Sequence, residues 1–188
     1  NAGPGFLLGI CGGAVFASPR AGAALYLIHV ASALFTGILL TRRLPPLSAP
    51  FSAGAAPHRT ASLSAALPAA VQGALAGILN VCAFVVFFTV CTRLLLRALP
   101  ESFALSLPCA LLIGFFELTS GVTALPPTRA GFLACAALLA WGGLSVHCQT
   151  LSALSASALS ARYYLRAKAA QALLSVILSL PALPFLFP

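Results

Sequence analysis

"AGAALYLIHVASALFTGILLT", residues 21–41, contains neither a charge nor a proline and runs directly into Arg42 and Arg43. About 20 apolar residues in a helix rising 1.5 Å each reach across a hydrocarbon core about 30 Å thick. The stretch therefore reads as a membrane span. Its basic end is expected on the cytoplasmic side, where lysine and arginine accumulate beside spans.

The rest of the chain agrees with that solvent. Of 188 residues, 61% are hydrophobic and 6% are charged, against about 25% charged in an ordinary soluble domain. An all-α polytopic membrane protein of about five transmembrane or re-entrant segments, some of them broken, is the expected fold class. The formal charge of +8 would point to phosphate in a soluble protein. Here the basic residues fall between apolar runs, at Arg42, Arg43, Arg93, Arg97, Arg129, Arg162, Arg166 and Lys168. They read as topology signals and lipid-headgroup contacts, with no nucleic-acid partner.

Upstream of the first span, residues 4–17 are apolar, Gly-rich and too short to cross. Such segments mark re-entrant or broken helices, whose irregular backbone needs protein or a watery cavity around it; a span cut short by a missing N-terminus is the alternative. The expectation is that this stretch does not cross and that its Gly-rich tip lies near Glu117. The chain opens without a charged leader and contains no Met, which reads as a fragment or trimmed product of a single domain covering residues 1–188.

Downstream, residues 44–68 are rich in Pro, Ser and Ala and read as a polar loop. Residues 69–99 form a second run that is expected to cross as far as Arg93. Residues 103–118 make a short third run, dissolving at Gly121, Pro126 and Pro127, which places Glu117 at a helix end. Residues 130–157 form a fourth run with a Gly142–Gly143 step, and residues 169–187 a simple final span after the basic "ARYYLRAKAAQ". If the basic loops share the cytoplasmic face, residues 103–128 enter and leave from one side.

Two constellations carry the candidate chemistry. Glu117 is one of two acids in the chain, and an acid at bilayer depth is costly unless a cavity, a partner or a proton path receives it. Thr119 and Ser120 add hydroxyls beside it. In "WGGLSVHCQ", residues 141–149, Ser145 and Gln149 are four apart and share a helix face, whereas His147 points elsewhere. Their other reading is helix packing by small residues with Ser and Gln as interhelical hydrogen-bonding groups. No nucleophile motif surrounds Ser120 or His147, so no enzyme is expected. His29 reads as a buried, hydrogen-bonded side chain. The six cysteines lack C-x-x-C pairing, so neither a metal nor a cofactor is expected.

"NAGPGFLLG" (1–9), "FFELTSG" (115–121), "WGGLSVHCQTLSAL" (141–154) and "YYLRAKAAQALLS" (163–175) resemble, in that order, the C-terminal half of the YlbJ-type sporulation integral membrane proteins. These carry the nucleoside-recognition, or Gate, domain and are similar to concentrative nucleoside transporters and ferrous-iron transporters. The resemblance implies half of a transporter that exports dipicolinic acid from the mother cell through the outer forespore membrane. It also implies an N-terminal half, absent here, as partner. Trp141 stands where the family pattern has Phe. By the same likeness Asn1, Gly3 and Pro4 belong to a hairpin, Glu117, Thr119 and Ser120 to one broken helix, and Ser145, His147 and Gln149 to another. Because dipicolinate is itself an anion, Glu117 is expected to serve a coupling ion or proton, while helix N-termini and protonated His147 attract the solute. A sporulation scaffold, or a nucleoside or metal-ion permease domain, are the alternatives.

Overall fold

The computed structural model describes residues 2–41, 62–154 and 161–188, which contain helix and no strand. Phe6–Val15 forms a π-helical segment, followed by α1 (Pro19–Thr41), α2 (Leu63–Arg97), α3 (Glu101–Ala104), α4 (Leu107–Phe116) and α5 (Leu118–Thr123). Next come α6 (Arg129–Trp141), α7 (Gly143–Leu154), α8 (Ala161–Ser179), a 3₁₀ turn at Leu180–Ala182 and α9 (Leu183–Leu186). Four stretches are long and apolar enough to cross a membrane: Pro19–Leu40, Leu63–Arg97, Arg129–Leu154 and Ala161–Leu186.

The opening segment is a helical hairpin. Its π-helix spans 10 residues, well short of a crossing, and the chain reverses through Ala17 at φ 46°. Ser18 then caps α1 by accepting the Ala21 N–H at 3.2 Å, with Pro19 at the first helical position. The two arms touch through glycines: a Cβ on Gly12 would lie 2.7 Å from the Gly22 Cα. The π-helical segment packs against α5, the helix that Glu117 caps. At the reversal, Phe16 packs edge-on against Phe132 and Phe187, and at the other end Ala2 lines a cavity together with Leu118. Of the glycines before the turn, Gly12 is the one used for arm-to-arm contact, against Gly22.

The predicted loop 44–68 is shorter than expected at its C-terminal side. Leu63–Pro68 already belongs to α2, because the alanines around it favour helix, although Pro68, sixth in the helix, withholds one N–H from the ladder. Residues 42–61 lie outside the described residues. Likewise "ARYYLRAKAAQ" is not a basic connector before the last span but the first half of α8 itself.

Residues 103–128 fold back on themselves. In a continuous helix, residues seven apart are separated by about 10.5 Å, yet a Cβ on Gly121 would lie 2.0 Å from the Gly114 Cα. The chain therefore doubles back at Glu117, and α4 and α5 form a second hairpin whose arms meet without side chains between them. Around these hairpins α6 is the centre, with Phe132, Cys135, Leu138 and Leu139 buried. By contrast, Thr92 is the only buried residue of α2, which lies at the edge.

Helices α1 and α8 pack side by side, and Phe16, before α1, meets Phe187, beyond α8, at 6.3 Å between ring centroids. They run antiparallel, so the end of α1 at Thr41 and the start of α8 at Ala161 share one end of the bundle. Cysteines introduced at positions 42 and 162, in a background lacking the native cysteines, should react with an impermeant maleimide from the same face of sealed vesicles. Labelling from opposite faces would break this topology.

Candidate functional site

Two interrupted helices meet at the centre. The α6 helix stops because Gly142 takes a left-handed conformation, φ 96°, and Gly143 follows at φ 75°; glycine alone adopts these angles without strain. The chain then restarts as α7 at Gly143. Gly143 sits on the other break, since a Cβ there would lie 3.0 Å from the Gly114 carbonyl oxygen and 3.1 Å from the Leu118 nitrogen. Gly143 thus lets the two discontinuities touch backbone to backbone, as Gly114 and Gly121 do for the two arms of the α4–α5 hairpin.

Glu117 is 3% exposed and serves as the N-cap of α5. Its two carboxylate oxygens accept the Thr119 N–H at 2.9 Å and the Ser120 N–H at 2.7 Å. The capping amides explain how a carboxylate is held at this depth: charge-assisted bonds to helix-end amides replace water. Thr119 and Ser120 contribute backbone here. The Thr119 side chain is exposed and that of Ser120 half-buried.

On α7, Gln149 Nε2 donates to Ser145 Oγ at 3.2 Å, as the four-residue spacing predicts. His147 points elsewhere, to Tyr164 of α8, with Nδ1 and the hydroxyl 2.9 Å apart. Its ring also stands edge-on to Trp141 at 4.4 Å, and its Nε2 is buried without a partner among the described residues. Gly3 and Pro4 are exposed at the start of the hairpin, where the Gly3 carbonyl accepts the Phe6 and Leu7 N–H groups. Asn1 lies outside the described residues. The structure thus brings the 117 and 142–143 breaks together, but Glu117 and the Ser145–Gln149 pair each satisfy themselves locally.

Between the breaks is a cavity of about 80 Å³ lined by Ala2, Leu118, Leu139, Gly142, Val146 and Lys168. Lys168 was read from sequence as a topology charge; it is instead 9% exposed, with Nζ donating to Gln171 Oε1 at 3.2 Å. His29 faces the same region. The Ala2 N–H donates to its Nε2 at 3.2 Å, so a neutral His29 carries its proton on Nδ1. Both His29 and His147 are electrostatic neighbours of Lys168.

A helical pattern could have exposed these residues. Lys168, Gln171, Ser175 and Ser179 are buried on α8 at spacings of three and four, the repeat of one helix face. His29, Ser32 and Thr36 follow the same repeat on α1. A larger cavity, about 220 Å³, lies between α2 and α4 among Cys91, Thr92, Leu95 and Phe116. It offers little polar chemistry, as the Thr92 hydroxyl is bonded to the Phe88 and Thr89 carbonyls of its own helix.

The described architecture is that of an all-helical protein with four helices fit by length and composition to cross a membrane. No protein-family model, curated protein or solved structure matches the chain.

Proposed function

We propose that this chain forms part of a multi-pass membrane transporter for a small anionic solute, bound where the two helix breaks meet. The observation that supports this reading is the packing of Gly143 on the Glu117 break beside a cavity with a buried cation. Interrupted backbone at membrane depth is tolerated where protein or a cavity satisfies it, and paired helix interruptions are how many transporters build a solute site. The resemblance to YlbJ-type proteins extends the proposal to dipicolinate, moved from the mother cell across the outer forespore membrane, with an N-terminal half as partner.

A second reading, a noncatalytic scaffold, draws on a different observation. Glu117 bonds its own helix and Ser145 bonds Gln149, as polar groups do when they merely secure helices. Counterflow of labelled pyridine-2,6-dicarboxylate and uridine into proteoliposomes, with the chain alone and with its N-terminal half co-reconstituted, separates the two. Transport predicts carboxylate flux above empty liposomes in at least one preparation. Flux of neither solute in both preparations would leave the scaffold.

A further inference from the structure

Lys168 is a cation without a counter-ion. The chain contains two acidic side chains in all 188 residues: Glu101 is exposed on α3, and Glu117 turns to the Thr119 and Ser120 amides of its own helix and forms no ion pair with Lys168 among the described residues. The partner that Lys168 does have, Gln171 Oε1, is neutral. A charged ammonium this far from water is normally paired, and the chain holds no carboxylate to pair it.

We propose that Lys168 is the recognition residue for a carboxylate group of the solute, received in the cavity between Leu118 and Gly142. This deepens the transport reading and rests on it for the identity of the solute as cargo. Three features fit a carboxylate. The ammonium lines the cavity while Gln171 steadies it from the side. Gly142 puts bare backbone beside the ammonium stem, since a Cβ there would already touch Lys168 Cε at 3.9 Å. The neighbouring α7 starts at Gly143, and the first amides of a helix lack acceptors in their own helix and favour negative charge. Conversely, a metal cation would meet an uncompensated like charge.

Size sets a further condition. The cavity of about 80 Å³ admits a carboxylate, whereas a cavity that takes up an aromatic ring is on the scale of about 150 Å³. An aromatic dicarboxylate therefore inserts one carboxylate between the breaks and needs the Ala2 wall, held by the Ala2–His29 bond, to give way for its ring.

The test uses the full chain in nanodiscs, with acetate and pyridine-2,6-dicarboxylate as probes and the corresponding amides as neutral controls. Trp141, the sole tryptophan, precedes Gly142 and supplies the fluorescence readout of binding and melting. Both carboxylates should raise the melting temperature of the native chain, and the amides should not, because a ligand stabilises in proportion to its affinity for the folded state. Lys168→Met should weaken carboxylate binding tenfold or more, Lys168→Arg should retain most of it, and Lys168→Met without ligand should melt higher than the native chain, because an unpaired buried charge has been removed. Equal shifts from carboxylates and amides, or a Lys168→Met protein that melts lower and still binds carboxylates, would overturn the assignment. The native chain's preference for acid over amide reads out even if the methionine variant does not fold. Lys168-dependent binding without flux would retain this site and sink transport; flux with binding indifferent to Lys168 would do the reverse.

Discussion

Gly121→Ala should abolish the folded protein or lower its melting temperature by on the order of 10 °C. The added Cβ would stand 2.0 Å from the Gly114 Cα and 2.3 Å from its nitrogen, and backbone cannot rotate away as a side chain can. Forcing an atom into a packed interior costs about 1–3 kcal/mol where side chains give way. Here α5 must lift off α4, so a cost of about 3 kcal/mol or more is expected, and about 1 kcal/mol moves the melting point of a chain this size by about 2–4 °C. Gly114→Ala should cost less, since its Cβ would meet the Leu138 side chain, which has other rotamers. Gly73→Ala and Gly77→Ala meet nothing within 4 Å and should leave stability level or raise it slightly through helix propensity. Melting of the four variants in detergent checks the order. A Gly121→Ala protein as stable as Gly73→Ala would mean that α4 and α5 do not form the close hairpin.

The helical class and most of the run boundaries were readable because they depend on composition and on local period. The apolar runs at 21–41 and 69–99, the break at Glu117 and the Gly142–Gly143 step all follow from residues acting on their own neighbours. Even the Ser145–Gln149 bond came from spacing within one helix. What was not readable depended on which faces meet. The Glu117 cap on the Thr119 and Ser120 amides is itself a local i to i+2 and i+3 pattern, whereas nothing local says that Gly143 would lie against Leu118. Lys168 was misplaced for a related reason: arginines at 162 and 166 make it look like one of a basic cluster, and only the buried series Lys168, Gln171, Ser175 and Ser179 reveals an inward polar face. Arg129 shows the same limit. It counted as a topology charge, yet its Nε donates to the Phe187 carbonyl at 3.1 Å, tying the start of α6 to the end of the chain.

Glu117 makes the second large prediction, because capping and ion coupling call for opposite results from one pair of variants. Glu117→Ala leaves the Thr119 and Ser120 N–H groups without the acceptors they have at 2.9 and 2.7 Å. Losing an N-cap costs about 0.5–2 kcal/mol, and burial places this one at the upper end, so a fall of about 2 kcal/mol, on the order of 6 °C, is expected. Glu117→Gln keeps one carbonyl oxygen for one amide and turns an NH₂ donor toward the other, so about half that loss should follow. If capping is the whole role, folded Glu117→Gln protein carries solute at a rate within a few-fold of the native chain, with the same dependence on pH and cations. The amides of α5 already compensate the carboxylate, and a coupling cation would have to share oxygens that both have partners. That is the outcome the geometry favours. A Glu117→Gln protein that melts close to the native chain but loses its pH or cation dependence would instead give the acid to the coupling ion or proton.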